Sequence, residues 1–448
     1  MLKINCFKAY DIRGSFPDEL NEEIAYFISR GFIEFSRAKN VVIGMDIRLS
    51  SQKIKDAVIQ GITDSESDVT DIGIVGTEVV SFSTSYGNFD GGIMVTASHN
   101  PKDYNGMKLL IKQSKPISED TGLKEIKKIA EKKIFPHKSK KGVVYKANYK
   151  NQYINKVLSF IDIDLLKPIK IVVNAGNGVA GPIVDILEGS LPFEFIKINH
   201  NPDGNFPNDV PNPMIEKNRL PTSNAVLQSK ADLGIAWDAD HDRCFFFDEN
   251  GKFIDSYYIV GLLSEFFLNK KPDSNIIYDP RLIWNTLEII KKNKGKAIQC
   301  KSGHAFIKQK MRDCDAIYGG EISAHHYFKD FYYCDSGMIP WLIIAQIMSS
   351  NGKKLSELVK ERINLYPTSG EINLKVEDTS RVFNFIEKKY SSDALSINKI
   401  DGLSLEFKDW RFNLRSSNTE PLIRLNIETK KNLDMLHQKY KQLLNDII

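Results

Sequence analysis

Short apolar runs that stop at Gly, Asp, Asn or Ser and give way to a helix-like stretch recur along this chain, and that repetition most narrows its fold. VVIGMD (41–46) leads into a stretch that Ser50 or Ser51 is placed to cap, and GGIMVTAS (91–98), IKIVVNAG (169–176), LGIAWDAD (233–240) and NIIYDP (275–280) end in the same way. Runs this short, bounded by turn residues and followed by helical periodicity, predict βα units. Repeated units of this kind give α/β architecture, with ligands expected beyond the strand C-termini. After about residue 366 the pattern changes to alternating strands, LSLEFKDWRFNLR and PLIRLNIE, closed by the helical KKNLDMLHQKYKQLLNDII. That predicts a separate, smaller α+β domain.

A chain of 448 residues is longer than one hydrophobic core supports, so several domains follow. Its 61 basic and 57 acidic side chains are too evenly balanced for a nucleic-acid binder by field alone, which leaves room only for a local basic site. The lysine-rich stretches 124–142 and 291–296 predict solvated helix faces or connections. The start, MLKINCFKAYDIRG, lacks the plan of a secretory signal, and no apolar run reaches the roughly 18 residues of a membrane span. Five scattered cysteines, Cys6, Cys244, Cys300, Cys314 and Cys334, with no CxxC spacing, fit reduced thiols in a cytoplasm.

Four segments carry chemistry. TASHNP, from Thr96 to Pro101, sets Ser98 on a tight turn beyond a strand, which predicts an exposed hydroxyl with His99 and Asn100 beside it. The segment also suits an ordinary strand-to-turn junction; the GxSxG elbow of a serine hydrolase is absent. WDADHDRC puts Asp238, Asp240 and Asp242 at alternate positions. Such carboxylates repel by about 4 kcal/mol per pair at 4 Å and an effective dielectric of 20, so a positive partner is expected, and a hard divalent cation suits oxygen ligands. Arg243 adds a fork suited to phosphate. The spacing from Asp238 to Glu249 imitates an EF-hand, but Arg243 stands where that loop needs glycine.

GGEISAHH (319–326) offers Glu321, Ser323, His325 and His326 on a glycine-led loop, a set able to hydrogen-bond sugar hydroxyls; HExxH, which a zinc site would favour, is absent. RSSNTEP (415–421) gathers a guanidinium, hydroxyls and an amide, all donors to phosphate oxygens, between two strands where a plain polar turn would also serve. GNGVAG (176–181) matches the dinucleotide fingerprint GxGxxG, yet the acidic residue expected after the next strand is missing. Tight packing of strand on helix is the expected use of those glycines.

FKAYDIRG, TASHNP, the DxDxDR cluster, GEISAHHYF and RSSNTEP, in this order over essentially the whole chain, resemble the α-D-phosphohexomutase superfamily and especially its bacterial phosphomannomutases. The resemblance implies a multidomain α/β protein, with three related α/β domains of mixed sheets plus a C-terminal α+β domain around a central cleft. The segments would be 1–143 with a phosphoserine loop, 144–250 with a metal loop, 251–366 with a sugar loop and 367–448 with a phosphate loop. Ser98 would be the phosphoserine, and Asp238, Asp240 and Asp242 would hold Mg²⁺ with an oxygen of that serine's phosphate. Glu321 and Ser323, with His325 beside them, would grip sugar hydroxyls. Arg415, Ser417, Asn418 and Thr419 would hold the phosphate that is not reacting. Tyr10, Arg13, His99 and Lys108 would line the reacting end, Arg243 would face phosphate, and Arg281 and His304 would be further substrate contacts.

In function, the resemblance implies interconversion of mannose 6-phosphate and mannose 1-phosphate through a hexose 1,6-bisphosphate, which also serves as activator, in a cytoplasmic enzyme of carbohydrate metabolism supplying GDP-mannose biosynthesis. Lys108 and His325 are the two candidates for the general base. The partner would be a small sugar phosphate, neither nucleic acid nor membrane; the sequence is silent on oligomeric state. Glucose phosphates are the alternative substrate. A metal-dependent phosphatase, releasing inorganic phosphate, and a non-catalytic sugar-phosphate sensor are the rival classes; binding alone needs neither nucleophile nor metal, which speaks against the sensor. Relatives commonly read DGDGDR, and here Ala239 and His241 replace the glycines. Bulk at 241 is expected to alter the metal loop, and an imidazole there offers an extra ligand.

Overall fold

The helix Glu22–Ser36 shows how the sequence sets up its elements. Asn21 caps it by accepting the Ile24 N–H, two glutamates occupy the first turn, and Arg37 closes it in the left-handed conformation. Ile24, Ile28 and Phe32 recur at the helical repeat and are buried. Each such side chain contributes about 1.5–3 kcal/mol by leaving water.

The computed structural model describes residues 3–136, 138–416 and 422–448. The chain has a four-domain α/β architecture with mixed sheets and forms two compact units, Met1–Phe253 with His325–Gly352 and Ile254–Ala324 with Lys353–Ile448. No helix among the described residues is long and apolar enough to cross a membrane.

In the first unit, Asn40–Met45 runs parallel to both Asp68–Ile74 and Gly91–Val95. Tyr104–Ile111 and then Ile12–Ser15 extend the sheet antiparallel. Asp46 and Thr96–Ser98 therefore lie together, just past the C-terminal ends of two parallel neighbours. Ser50 takes the cap position of the helix Ser51–Thr63 without a capping bond from its side chain. The Ser51 hydroxyl donates to Asp46 instead.

A second sheet in this unit pairs Leu233–Trp237 parallel with Lys170–Asn174 and antiparallel with Cys244–Phe247. Trp237 faces Cys244 across that antiparallel pair, so residues 238–243 form a tight reversal. The glycines of GNGVAG serve packing, as expected. A Cβ on Gly178 would stand 2.9 Å from the Ala239 Cα, which is how the loop after one strand nests against the reversal after its neighbour. The lysine-rich helix Lys124–Lys132 buries only Ile126 and Ala130.

The second unit holds a parallel set, Asn275–Tyr278 between Lys296–Gln299 and Tyr318–Gly320. It also holds an antiparallel sheet from Thr368–Lys375 to Leu422–Thr429, covered by the helices Thr379–Tyr390 and Leu433–Ile447. A fully buried carboxylate, Glu428, ties these together. It pairs with Arg411 at 2.8 Å and accepts the Ile283 N–H and the Tyr257 hydroxyl. Arg411 in turn donates to the carbonyls of Pro280 and Arg281.

Candidate active site

Ser98 follows the buried strand Gly91–Val95 on a turn whose backbone is left-handed at Ser98 itself, with φ +49°. The expectation of an exposed hydroxyl is corrected: Ser98 is 2% exposed. The reason is that its Oγ is covered, donating to Asp238 Oδ2 at 2.9 Å and lying 3.1 Å from His99 Nδ1. Burial first, then the charges of Arg243 and Arg13, hold His99 well below its ordinary pKa, so this imidazole is neutral.

The reversal after Trp237 turns all three aspartates to one place, where one carboxylate oxygen from each lies within 4.8 Å of the others. Two fixed cations share that place. Arg243 Nε is 2.8 Å from Asp238 Oδ2, and Lys108 Nζ is 2.7 Å from Asp240 Oδ2 and 2.6 Å from Asp242 Oδ2. Lys108 also donates to Thr77 Oγ1 at 3.0 Å, so each of its three N–H groups has an acceptor. Burial opposes its charge, but Asp240 and Asp242 outweigh that and raise its pKa above the usual lysine value.

Burial first, then the neighbouring Asp240, pushes the Asp242 pKa up to about 7 in spite of Lys108, so the cluster is short of positive charge. Moreover Asp240 Oδ1 and Asp242 Oδ1 are buried and make no hydrogen bond among the described residues. Buried carboxylate oxygens left open are costly unless a cation takes them, so the donor set fits a hard divalent metal.

Arg13 reaches the same turn, donating to Asn100 Oδ1 at 2.5 Å and the Ala97 carbonyl at 3.3 Å while paired with Asp11 at 2.7 Å. Half-buried Tyr10 interacts electrostatically with it. His325 joins the cluster from far along the chain. Its Nδ1 is 3.3 Å from the buried Asp335 and 3.9 Å from Asp242 Oδ1. His241 does not turn to the carboxylates. Its Nδ1 bonds Glu78 Oε1 at 2.7 Å, and both side chains are fully buried. The loop admits this bulk because residue 76 is glycine, whose missing Cβ would stand 2.2 Å from His241 Nε2.

The second unit collects other expected residues. Arg281 is turned inward: Asp279 takes its Nε at 3.0 Å and Nη2 at 2.8 Å, and Ser323 Oγ and Glu321 Oε1 lie 3.3 and 3.5 Å from Nη2. Glu321 accepts the N–H of Gly303, directly before His304 at the start of the helix His304–Asp313. Arg415 Nη2 pairs with Glu371 at 2.8 Å, and Arg281 and Arg424 lie 3.5 Å from the same carboxylate. Burial raises the Glu371 pKa, but the three guanidiniums outweigh it and hold it at about 2. Ser417, Asn418 and Thr419 lie outside the described residues. Thr77, Glu78, Asp335 and Glu371 were not foreseen. Thr77, Glu78 and Glu371 have partners distant in sequence, Asp335 lies ten residues after His325, and no local pattern marks any of them.

The arrangement in the first unit permits transfer of a charged group to or from Ser98 Oγ beside a bound dication. Residues 5–137, 151–251 and 255–366 match the alpha/beta/alpha domains I, II and III of phosphoglucomutase/phosphomannomutase, and residues 371–438 match its C-terminal domain. The chain is 49% identical over 451 residues to a phosphomannomutase of Escherichia coli K12, covering 99% of both chains. It is 51% identical over 454 residues to one of Vibrio cholerae, covering 99% of this chain and 98% of that one. A crystal structure of a phosphoglucomutase/phosphomannomutase family protein from Burkholderia thailandensis superposes with a TM-score of 0.89 at 30% identity, over 99% of this chain and 98% of that one. The chain belongs to the phosphoglucomutase/phosphomannomutase family.

Proposed function

We propose that this protein is a phosphomannomutase, moving a phosphoryl group between O6 and O1 of mannose through phospho-Ser98 and a hexose 1,6-bisphosphate. The observation that carries the proposal is the 2.9 Å contact of Ser98 Oγ with Asp238, inside a buried carboxylate cluster that still has open oxygens.

In this reading the free sugar hydroxyl attacks the phosphorus of phospho-Ser98, and the bond from phosphorus to Oγ breaks as the sugar–phosphate bond forms. The bisphosphate turns over, and Ser98 Oγ then takes the other phosphoryl group, leaving the isomeric monophosphate. Lys108 serves as a charged donor, since all three of its N–H groups are committed. In this reading the hydroxyl proton goes to His325, whose Nδ1 lies 3.3 Å from Asp335 Oδ2. Asp238, Asp240 and Asp242 would hold Mg²⁺, which when bound offsets charge on the transferring group. Arg13, Tyr10, His99 and Arg243 would line the reacting end, with Glu321, Ser323 and His304 on the sugar. Arg281 would act by holding Glu321 and Ser323, and Arg415 with Ser417, Asn418 and Thr419 would take the remote phosphate.

The segments 1–143, 144–250, 251–366 and 367–448 would supply these four loops in turn. The cysteines are all free thiols, which supports a cytoplasmic location. The test is phosphorus NMR of mannose, glucose and glucosamine 1-phosphates with purified protein, Mg²⁺ and a trace of hexose 1,6-bisphosphate. Fastest conversion of the mannose ester without release of inorganic phosphate is expected. Phosphate accumulation would mark a phosphatase instead.

A further inference from the structure

Arg48 belongs to no motif, and its side chain is completely buried. Its guanidinium binds backbone rather than an anion from solution. Nη2 donates to the carbonyls of Ser98 and Asn100, both at 2.6 Å, and Nη1 to those of Pro101 at 2.5 Å and Tyr104 at 3.0 Å. Its Nε lies 3.3 Å from Asp46 Oδ2. That same oxygen accepts from Thr96 Oγ1 at 2.7 Å, and Thr96 Oγ1 accepts the Ser98 N–H at 2.9 Å. Both sides of Ser98, its N–H through Thr96 and its carbonyl through Arg48, are therefore anchored on one buried ion pair.

The anchoring has something to oppose. Ser98 stands at φ +49°, where a side chain is strained, and such a conformation persists only when its surroundings over-determine it. A free turn would relax and carry Oγ away from Asp238. Since a misplacement of about 1 Å at a reacting atom costs on the order of a hundredfold in rate, the anchor matters for chemistry as well as for folding.

We infer that Asp46 and Arg48, with Thr96 as the link, are positioning residues for phosphoryl transfer, holding the Ser98 backbone so that Oγ is aimed at phosphorus. The inference rests on the reading that Ser98 carries the phosphoryl group. It differs from a general packing role in what it predicts: the transfer step slows while binding of the sugar phosphate is untouched.

The experiment compares Arg48→Lys, Arg48→Met and Thr96→Val with wild type and Ser98→Ala. Melting curves establish folding. Intact mass then follows loading of Ser98 from hexose 1,6-bisphosphate, steady-state kinetics use mannose 1-phosphate, and hydrogen exchange covers residues 97–105. Loading rate and kcat should fall together at least tenfold with KM within twofold, and exchange should accelerate in 97–105 alone. Thr96→Val is nearly isosteric and keeps the ion pair, so it decides the matter if both Arg48 variants fail to fold. A folded Arg48→Lys or Thr96→Val with wild-type loading and kcat overturns the inference, as does a rise in KM with loading unchanged. Wild-type turnover in Ser98→Ala would instead bring down the phosphoserine reading, and this inference with it.

Discussion

Lys108 is bound to Asp240 by a buried ion pair, Nζ to Oδ2 at 2.7 Å, and so fills with an ammonium part of the positive requirement that the aspartate cluster creates. Burial pushes the Asp240 pKa up, but Lys108, with Thr77 and Arg13, more than reverses that and leaves it below the ordinary carboxylate range.

Lys108→Met should therefore shift the burden onto the metal. Removing one partner of a buried pair leaves charge uncompensated, at a cost of about 3–5 kcal/mol. The metal-free variant should melt well below metal-free wild type, and added Mg²⁺ should raise its Tm by more than it raises that of wild type. Calorimetry with and without chelator measures both; an equal Mg²⁺ response in the two proteins would contradict the sharing of charge.

His241 sits at φ +46°, where a glycine would be relaxed, yet it makes a buried bond to Glu78. Relief of a left-handed side chain is worth about 1–2 kcal/mol. Loss of a hydrogen bond to a charged group is worth about 1.5–3 kcal/mol, and a stranded buried Glu78 adds further cost. His241→Gly should thus destabilise by roughly 1–3 kcal/mol, read from urea unfolding, although it relieves the backbone. A more stable variant would show that backbone strain is the larger effect.

The strands that carry the loops were legible because their apolar runs end at turn residues: GGIMV and LGIAW are the strands Gly91–Val95 and Leu233–Trp237. The aspartates were legible because alternate carboxylates demand a cation. What escaped were single residues whose meaning lies in a distant partner. Glu78 looks like any acid in the first turn of a helix, and its partner His241 is 163 residues away. Arg48 looks like a solvent-facing arginine before a helix. The exposure expected of Ser98 failed for the same reason, since Asp238, which covers it, comes 140 residues later.

Glu371 gives a pH signature. Its folded pKa of about 2 lies below the ordinary 4.5, so its contribution is fully present above 4.5 and is lost as pH falls through about 2. A depression of that size is worth about 3 kcal/mol. Glu371→Gln should flatten the acid limb of the stability–pH curve over that window and lower stability at neutral pH. Urea midpoints from pH 7 down to the lowest pH at which the protein stays soluble provide the measurement, and an acid limb as steep as wild type would show that the three guanidiniums do not hold this carboxylate.

The same carboxylate bears on Arg415, whose Nη2 it engages at 2.8 Å while Arg281 and Arg424 lie 3.5 Å from it. An anionic substrate approaching Arg415 meets a guanidinium that is already oriented, so less rotamer freedom remains to be lost on binding. Arg415→Ala removes that donor, and losing a charge-assisted contact to a phosphate costs about 1.5–3 kcal/mol, or roughly ten- to a hundredfold in kcat/KM. Because the remote phosphate is held while chemistry proceeds at the other end of the sugar, part of the loss should fall in kcat. Ser98 should still be loaded by hexose 1,6-bisphosphate, at a reduced rate and to the same final extent. Steady-state kinetics with mannose 1-phosphate, alongside intact mass after incubation with the bisphosphate, separate the two effects. An unchanged kcat/KM would mean that Arg415 serves Glu371 alone, and the phosphate contact would then have to come from elsewhere in the chain.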